Sequence, residues 1–93
     1  MTNPQALDFT KVETLRRHML LTTGDMSTLF GVSRMTYYGW VRGKPIRKTN
    51  DATVRRVLKK LLNVMSEHNW PTPDVIVATS KDRMQRLNDL LDA

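Results

Sequence analysis

Apolar residues recur at helical spacing along most of the chain, in blocks separated by short stretches rich in polar residues, glycine or proline. Between residues 21 and 44 this pattern predicts two short helices, over residues 23–30 and 34–41, joined by a tight turn at residues 31–33. Gly31 suits the positive φ with which a helix can end at little cost. The rest of the chain is expected to pack around this pair of helices.

Capping residues support both of these helices. Thr22 with Asp25 three residues later has the pattern of a capping box, in which each residue satisfies the other's backbone N–H. Ser33 occupies the corresponding position before the second helix. In that helix, Tyr37 and Trp40 are expected to face the shared core.

The remaining apolar blocks predict further helices over residues 11–20, 51–68 and 81–91, which gives an all-α fold of about five helices. Their expected caps are Thr10, Thr49 or Asn50, and Thr79 or Ser80. Residues 74–79 fit either a short strand or one helical turn, and we favour the turn. Trp70 lies among helix-breaking residues and is expected to plug the edge of the core.

Composition limits the class of protein. The chain of 93 residues has no cysteine, which excludes a disulfide framework and thiolate metal sites. No apolar run approaches the roughly 20 residues of a membrane span, and the N-terminus lacks the features of a signal peptide. We therefore expect a cytoplasmic protein, of a bacterial cell or a phage-infected host, with no membrane partner.

Positive charge is concentrated in one part of the chain. Residues 34–60 contain nine Lys or Arg against a single Asp, a net charge of +8. Residues 1–33 balance, whereas residues 61–93 carry a net charge of −2. The second short helix and the segment after it therefore have the electrostatic character of a polyanion-binding surface. The alternative is a basic face that is merely solvated.

Signs of catalytic chemistry are lacking. His18 and His68 are isolated, with no second ligand at metal-binding spacing. The run Ser66, Glu67 and His68 is consecutive on one predicted helix, which is not the arrangement of a triad. We expect no enzymatic activity, no cofactor and no metal.

The segment from Leu21 to Lys44 resembles the helix-turn-helix of the lambda-repressor-like (Cro/C1, or XRE-type) family of transcriptional regulators. The matching residues are Leu21, Thr22, Met26, Leu29, Gly31, Val32, Ser33, Thr36, Trp40, Arg42, Gly43 and Lys44. The chain departs from the family at Thr23, where Gln is common, at Ser27, where Ala is common, and at Tyr37, where Ile or Val is usual. Tyr37 suggests a slightly wider gap between the helices.

Helix-turn-helix proteins place the start of their second helix in the major groove, where each base pair presents a distinct pattern of donors and acceptors. Arg34 is the best candidate for a bidentate contact to guanine, and Met35 can pack on a thymine methyl group. The residues expected to face the bases are Ser33, Arg34, Met35, Tyr38 and Gly39. Thr23 combines a hydroxyl with a helix N-terminus and is a candidate for a phosphate contact. The other phosphate candidates are Thr36, Arg42, Lys44, Arg47 and Lys48.

These expectations define three regions: a flexible N-terminus at residues 1–8, a DNA-binding domain at residues 9–69, and a dimerisation segment at residues 70–93. The last helix carries apolar side chains beyond what a four-helix core should need, and such a surplus marks an interface. The expected interface residues are Val75, Met84, Leu87, Leu90 and Leu91. The alternative is that this helix folds back onto its own domain.

The expected function is that of a small regulator, of phage or mobile-element type, that binds a pseudo-palindromic operator as a homodimer and represses by blocking polymerase. Half-sites would lie about 10–10.5 base pairs apart, or a multiple of that. Two other functions stay open. One is a DNA-recognition adaptor of a larger phage machine, and the other is an antitoxin-like module that binds a protein partner.

Overall fold

The computed structural model describes residues 7–92, and within this part of the chain the regular secondary structure consists of helices without strands. Six helices follow one another within it: α1 (Phe9–His18), α2 (Thr23–Phe30), α3 (Arg34–Val41), α4 (Lys48–His68), α5 (Pro73–Ile76) and α6 (Ser80–Leu91). The predicted all-α class is confirmed, and α2 and α3 have the predicted bounds. Most of the N-terminal segment predicted to be flexible, residues 1–6, lies outside the described residues, as does residue 93.

The predicted caps of α2 and α3 are present. Thr22 Oγ1 accepts the backbone N–H of Asp25 at 3.0 Å, and the Asp25 carboxylate accepts the backbone N–H of Thr22 at 2.9 Å. Gly31 ends α2 with a φ of +73°, and Ser33 Oγ accepts the N–H of Thr36 at 3.1 Å. Two caps and one left-handed glycine thus fix the path of the chain through the turn at residues 31–33.

Two helices begin earlier than predicted. Asp8, not Thr10, is the N-cap of α1, because its carboxylate accepts the Thr10 N–H at 3.0 Å and Asp is a stronger cap than Thr. The first helical residue of α4 is Lys48 rather than Asp51, and its N-cap, Arg47, makes no side-chain capping bond. A search for capping side chains therefore misses the start of α4.

The C-terminal elements follow the sequence more closely. Residues 73–76 form one helical turn that begins with Pro73, which confirms the preferred interpretation of this ambiguous stretch. Thr79 caps α6 by accepting the N–H of Asp82 at 3.2 Å. Trp70 is buried at the edge of the core, as predicted.

All six helices contribute to a single core. Helix α2 packs on α3 and α4, α1 packs on α3, and α6 packs on α4. Aromatic rings join the first three helices, with ring centroids 5.5 Å apart for Phe9 and Trp40 and 6.1 Å apart for Phe30 and Tyr37. The buried apolar residues are Phe9, Val12, Met19, Leu21, Met26, Phe30, Tyr37, Trp40, Val54, Leu61, Val64, Trp70, Val75 and Leu87.

The C-terminal segment, predicted as a dimerisation region from residue 70, contributes side chains to this same core. Leu87 is completely buried and Val75 nearly so, and both contact the chain's own core rather than a free surface. The other predicted interface residues, Met84, Leu90 and Leu91, are partly buried against the same core. This packing agrees with the stated alternative, in which the last helix folds back onto its own domain. The second half of α4 carries the buried side chains of Leu61 and Val64, and α6 packs on this helix.

Candidate nucleic-acid interface

Helix α3 has two chemically different faces. Tyr37 and Trp40 are buried against α1 and α2, as predicted, and hold the helix to the core. On the outer side, Arg34, Thr36 and Tyr38 are exposed, and Met35 is 85% exposed. A helix anchored by its aromatic residues therefore presents a cation, an apolar side chain and hydroxyl groups to solvent.

A hydrogen-bond network, not recognised in the sequence, ties α3 to α1. The Tyr37 hydroxyl donates to Glu13 at 2.6 Å, and Arg16 donates to the same carboxylate through Nε at 2.7 Å and Nη2 at 3.1 Å. Arg16 also donates to the Leu21 carbonyl at 2.9 Å. A tyrosine at a position predicted to face the core was the available signal, since a buried hydroxyl needs a partner.

The pKa values of Glu13 and Tyr37 are shifted in directions that keep the carboxylate charged and the phenol neutral. The Arg16 guanidinium, with the Tyr37 hydroxyl, lowers the pKa of Glu13 below its ordinary value. Burial, followed by the bond to Glu13, raises the pKa of Tyr37 well above the ordinary value for a phenol. At neutral pH the site therefore holds a charged Glu13, a charged Arg16 and a neutral Tyr37.

One flank of α3 meets the start of α2. Thr23 and Tyr38 are hydrogen-bonded through their hydroxyls at 2.9 Å. The Arg34 guanidinium lies over Gly24, where an added Cβ would be 3.0 Å from Arg34 Nε and 3.1 Å from Nη2. We call these four residues the α2–α3 edge. Both the guanidinium and the N-terminus of α2 attract anions, so their positive potentials add at this edge.

The α2–α3 edge joins three residues that the sequence predicted and one that it did not. Thr23 was a phosphate candidate, and Arg34 and Tyr38 were base-contact candidates. Gly24 was missed, although a glycine in the first turn of a helix, where it has poor propensity, is a signal of a close approach by a neighbouring group.

The other flank of α3 is an open groove of about 540 Å³ between α3 and the start of α4. We call it the α3–α4 groove. The N-cap of α4, Arg47, makes no side-chain capping bond, and the acidic residue of the first turn, Asp51, pairs with Arg55. The residues that line this groove are Val32, Ser33, Met35, Thr36, Gly39, Trp40, Lys44, Pro45, Arg47 and Asn50.

Gly39 does not have the open position expected of a base-contacting residue. It is buried, because the stem of Lys44 lies over it: an added Cβ would be 3.1 Å from Lys44 Cδ. The Lys44 N–H also donates to the Gly39 carbonyl at 2.8 Å. The absent side chain at Gly39 thus makes room for Lys44, and a base contact at Gly39 stays a prediction.

Two of the phosphate candidates lie away from the groove lining. Arg42 is the C-cap of α3, at the opposite end of the helix from Arg34, and Lys48 is the first residue of α4. Both are exposed. They do not share the groove lining with Thr36, Lys44 and Arg47.

Ion pairs leave most of the basic segment uncompensated. Within residues 7–92 the ion pairs are Glu13–Arg16, Asp51–Arg55 and Asp74–Arg86. The only acidic residue of segment 34–60, Asp51, is thus paired with Arg55 on its own helix. None of these pairs involves the basic side chains around α3, which are Arg34, Arg42, Lys44, Arg47 and Lys48.

Metal-binding clusters and membrane-spanning helices are both absent from the described residues. Over residues 7–92, no cluster of three or more His, Cys, Asp or Glu side chains is placed to bind a metal ion. None of the helices described combines the length and apolar character needed to cross a bilayer.

No protein-family model, no curated protein and no solved structure matches this chain.

Proposed function

We propose that this chain binds double-stranded DNA by placing the first half of α3 in the major groove, in the manner of a lambda-repressor-like helix-turn-helix protein. The observation that carries the proposal is the outer face of α3. A side chain as apolar as Met35 stands almost fully in solvent beside Arg34, on a helix whose other face is firmly buried. Arginine suits guanine and an apolar side chain suits the thymine methyl group.

The flanks of α3 supply the phosphate contacts that such docking needs. The α2–α3 edge combines the N-terminus of α2 with the Thr23 hydroxyl and Arg34. The α3–α4 groove combines the N-terminus of α4 with Lys44 and Arg47. Phosphate contacts on both sides of an inserted helix fix its register and orientation on the duplex.

The proposed role is that of a transcriptional repressor acting as a homodimer on a pseudo-palindromic operator. Since Leu87 and Val75 are buried within one chain, a two-fold interface would use apolar side chains that remain exposed. Outside α3, the large apolar side chains that remain exposed within residues 7–92 are Leu62, Ile76 and Val77, at 52%, 53% and 84%, and these are the candidates. A monomer or a high-order ring in solution would favour the adaptor function instead.

The test begins with selection of a binding site from a library of randomised duplexes, followed by titration of the selected duplex at several salt concentrations. We expect Arg34→Ala to weaken binding by about 1–3 kcal/mol and to relax discrimination at one base pair. Lys44→Ala should weaken all sequences similarly and reduce the salt slope by about one unit. The control, Lys81→Ala, removes the same charge from the acidic C-terminal segment and should change neither quantity.

The proposal fails if the library yields no enriched duplex and random duplexes bind without dependence on salt. It also fails if Lys81→Ala weakens binding as much as Arg34→Ala, because binding would then follow net charge rather than the face of α3.

A further inference from the structure

The loop between α1 and α2 is held from outside by the C-terminal segment. Trp70 Nε1 donates to the Met19 carbonyl at 2.9 Å in a buried hydrogen bond, although the two residues are 51 positions apart. Arg83 Nη1 donates to the next carbonyl, that of Leu20, at 3.1 Å. Two successive carbonyls of one loop are thus bound by side chains from the far end of the chain.

Leu20 itself has an unusual backbone conformation. Its φ is +64°, in the left-handed region that a branched side chain adopts only when its surroundings impose it. The bonds to the carbonyls of Met19 and Leu20 come from outside the loop and act on the strained position itself. The loop conformation therefore depends on the C-terminal segment as well as on its own sequence.

Arg83 is the centre of this arrangement. Besides Leu20, it donates through Nε to the Val75 carbonyl at 3.1 Å and through Nη2 to the carbonyls of Ala78 at 2.9 Å and Ile76 at 3.3 Å. One guanidinium is therefore hydrogen-bonded to three segments: the end of α5, the turn before α6 and the α1–α2 loop. Its planar fork of donors makes such simultaneous bonding possible, and lysine cannot reproduce it.

The loop leads directly into the α2–α3 edge. Leu20 precedes the N-cap Thr22 by two residues, and Thr23 and Gly24 form the first turn of α2. The position of the first turn of α2 depends on the conformation of the loop that precedes it. Binding groups must be held to within about 0.5 Å to be effective.

We propose that Arg83 is a positioning residue for DNA binding: by fixing the α1–α2 loop, it places the first turn of α2 against a DNA phosphate without itself touching DNA. The C-terminal segment is then a clamp on the interface rather than a separate module. This inference deepens the proposed function of the α2–α3 edge and rests on it.

The first measurement needs no DNA. Arg83→Gln removes the fork, and Arg86→Gln is the matched control, since Arg86 lies one turn later on α6 and pairs only at the surface with Asp74. In the full chain, backbone amide exchange at residues 21–25 should accelerate by roughly tenfold in Arg83→Gln, while amides in the middle of α4 change little. If the Arg83→Gln chain unfolds, Arg83→Lys, which keeps the charge and loses the fork, is measured in its place.

The second measurement is a double-variant cycle with Thr23→Val, using a random-sequence duplex as the probe. We expect Arg83→Gln and Thr23→Val each to weaken binding by roughly three- to tenfold, and the double variant to bind no more weakly than the worse single variant. A general loss of stability would instead give losses that multiply. Arg86→Gln should bind as the parent chain does.

The outcomes separate the two proposals. If the parent chain binds no duplex, the proposed function fails, and the clamp is judged on amide exchange alone. Uniform acceleration of exchange across the chain, or equal effects of Arg83→Gln and Arg86→Gln, would overturn the clamp. Multiplicative losses in the cycle would also overturn it, even with DNA binding intact.

Discussion

Tyr37 and Tyr38 are neighbours in the sequence with opposite surroundings. The Tyr37 hydroxyl is held by the charged Glu13 in the core, whereas the Tyr38 hydroxyl bonds to Thr23 at the surface. We expect Tyr37→Phe to lower the free energy of unfolding by about 1.5–3 kcal/mol, because it removes a hydrogen bond to a charged group. Tyr38→Phe should change it by less than about 0.5 kcal/mol.

Urea denaturation of the two variants measures this difference in the free energy of unfolding. In a DNA titration we expect the opposite order, with the larger loss of affinity in Tyr38→Phe. Tyr38→Phe should bind DNA less well than Tyr37→Phe does under conditions where both are folded. Equal losses of stability in the two variants would show that the Tyr37 hydroxyl is not held in the core.

The same network sets a pH dependence. Because the pKa of Glu13 is lower in the folded chain than its ordinary value of 4.5, the charged carboxylate stabilises the fold above that value. This stabilisation is lost as pH falls through the lowered pKa of the folded state. We expect Glu13→Gln to be less stable at neutral pH and to lose less stability than the parent on acidification. Thermal melts between neutral and acidic pH test this, and parallel curves for the two proteins would contradict it.

Gly24 offers a test of the α2–α3 edge at the level of one methyl group. Alanine is a better helix former than glycine by about 1 kcal/mol, so Gly24→Ala should not destabilise α2. Its Cβ would crowd the Arg34 guanidinium, the mobile end of a long side chain, and displace it. The expected result is unchanged or raised stability with altered DNA affinity. Unchanged affinity would mean that the rest position of Arg34 over Gly24 has no part in binding.

At the scale of the elements, the buried inner face of α3 fixes the position of its exposed outer face. Trp40 contacts Phe9 and Phe30 and is buried, whereas Met35 on the same helix is exposed. We expect Trp40→Ala to destabilise the chain by roughly 3–5 kcal/mol, and Met35→Ala, its control on the same helix, to leave stability within about 0.5 kcal/mol. A Trp40→Ala chain that melts like the parent and yet fails to bind DNA would show that the Trp40 ring lies on the DNA-binding face of α3 rather than in the core.

How well each element could be predicted depended on how local its determinants are. The bounds of α2 and α3 follow from Thr22, Gly31 and Ser33, which act within a few residues of themselves. The start of α4 could not be predicted because no side chain marks it. The roles of Arg16 and Arg83 were missed for a different reason: their partners include carbonyl groups and distant residues, which leave no periodic pattern in the sequence.

At the scale of the whole molecule, α6 packs on α4 of its own chain, and Leu87 is fully buried there. Glutamate at the fully buried Leu87 should destabilise the chain by at least about 3 kcal/mol, rather than give a folded monomer. Val77→Glu alters a side chain that is 84% exposed and should leave the melting temperature nearly unchanged. Light scattering during size exclusion then reports whether Val77→Glu disrupts a dimer. A Leu87→Glu chain that stays folded would show that Leu87 is not buried in the core.

The single core also bears on how the protein is made. Phe9 and Met19 leave the ribosome early, yet the core that buries them also contains Trp70, Val75 and Leu87. While synthesis is in progress, the side chains of the first helices have no complete cover, and such chains are open to proteolysis and aggregation. A message that ends early would yield fragments that carry α3 but lack the partners of the α1–α2 loop. Because such fragments lack part of the core, proteases should degrade them faster than the chain that includes Leu87.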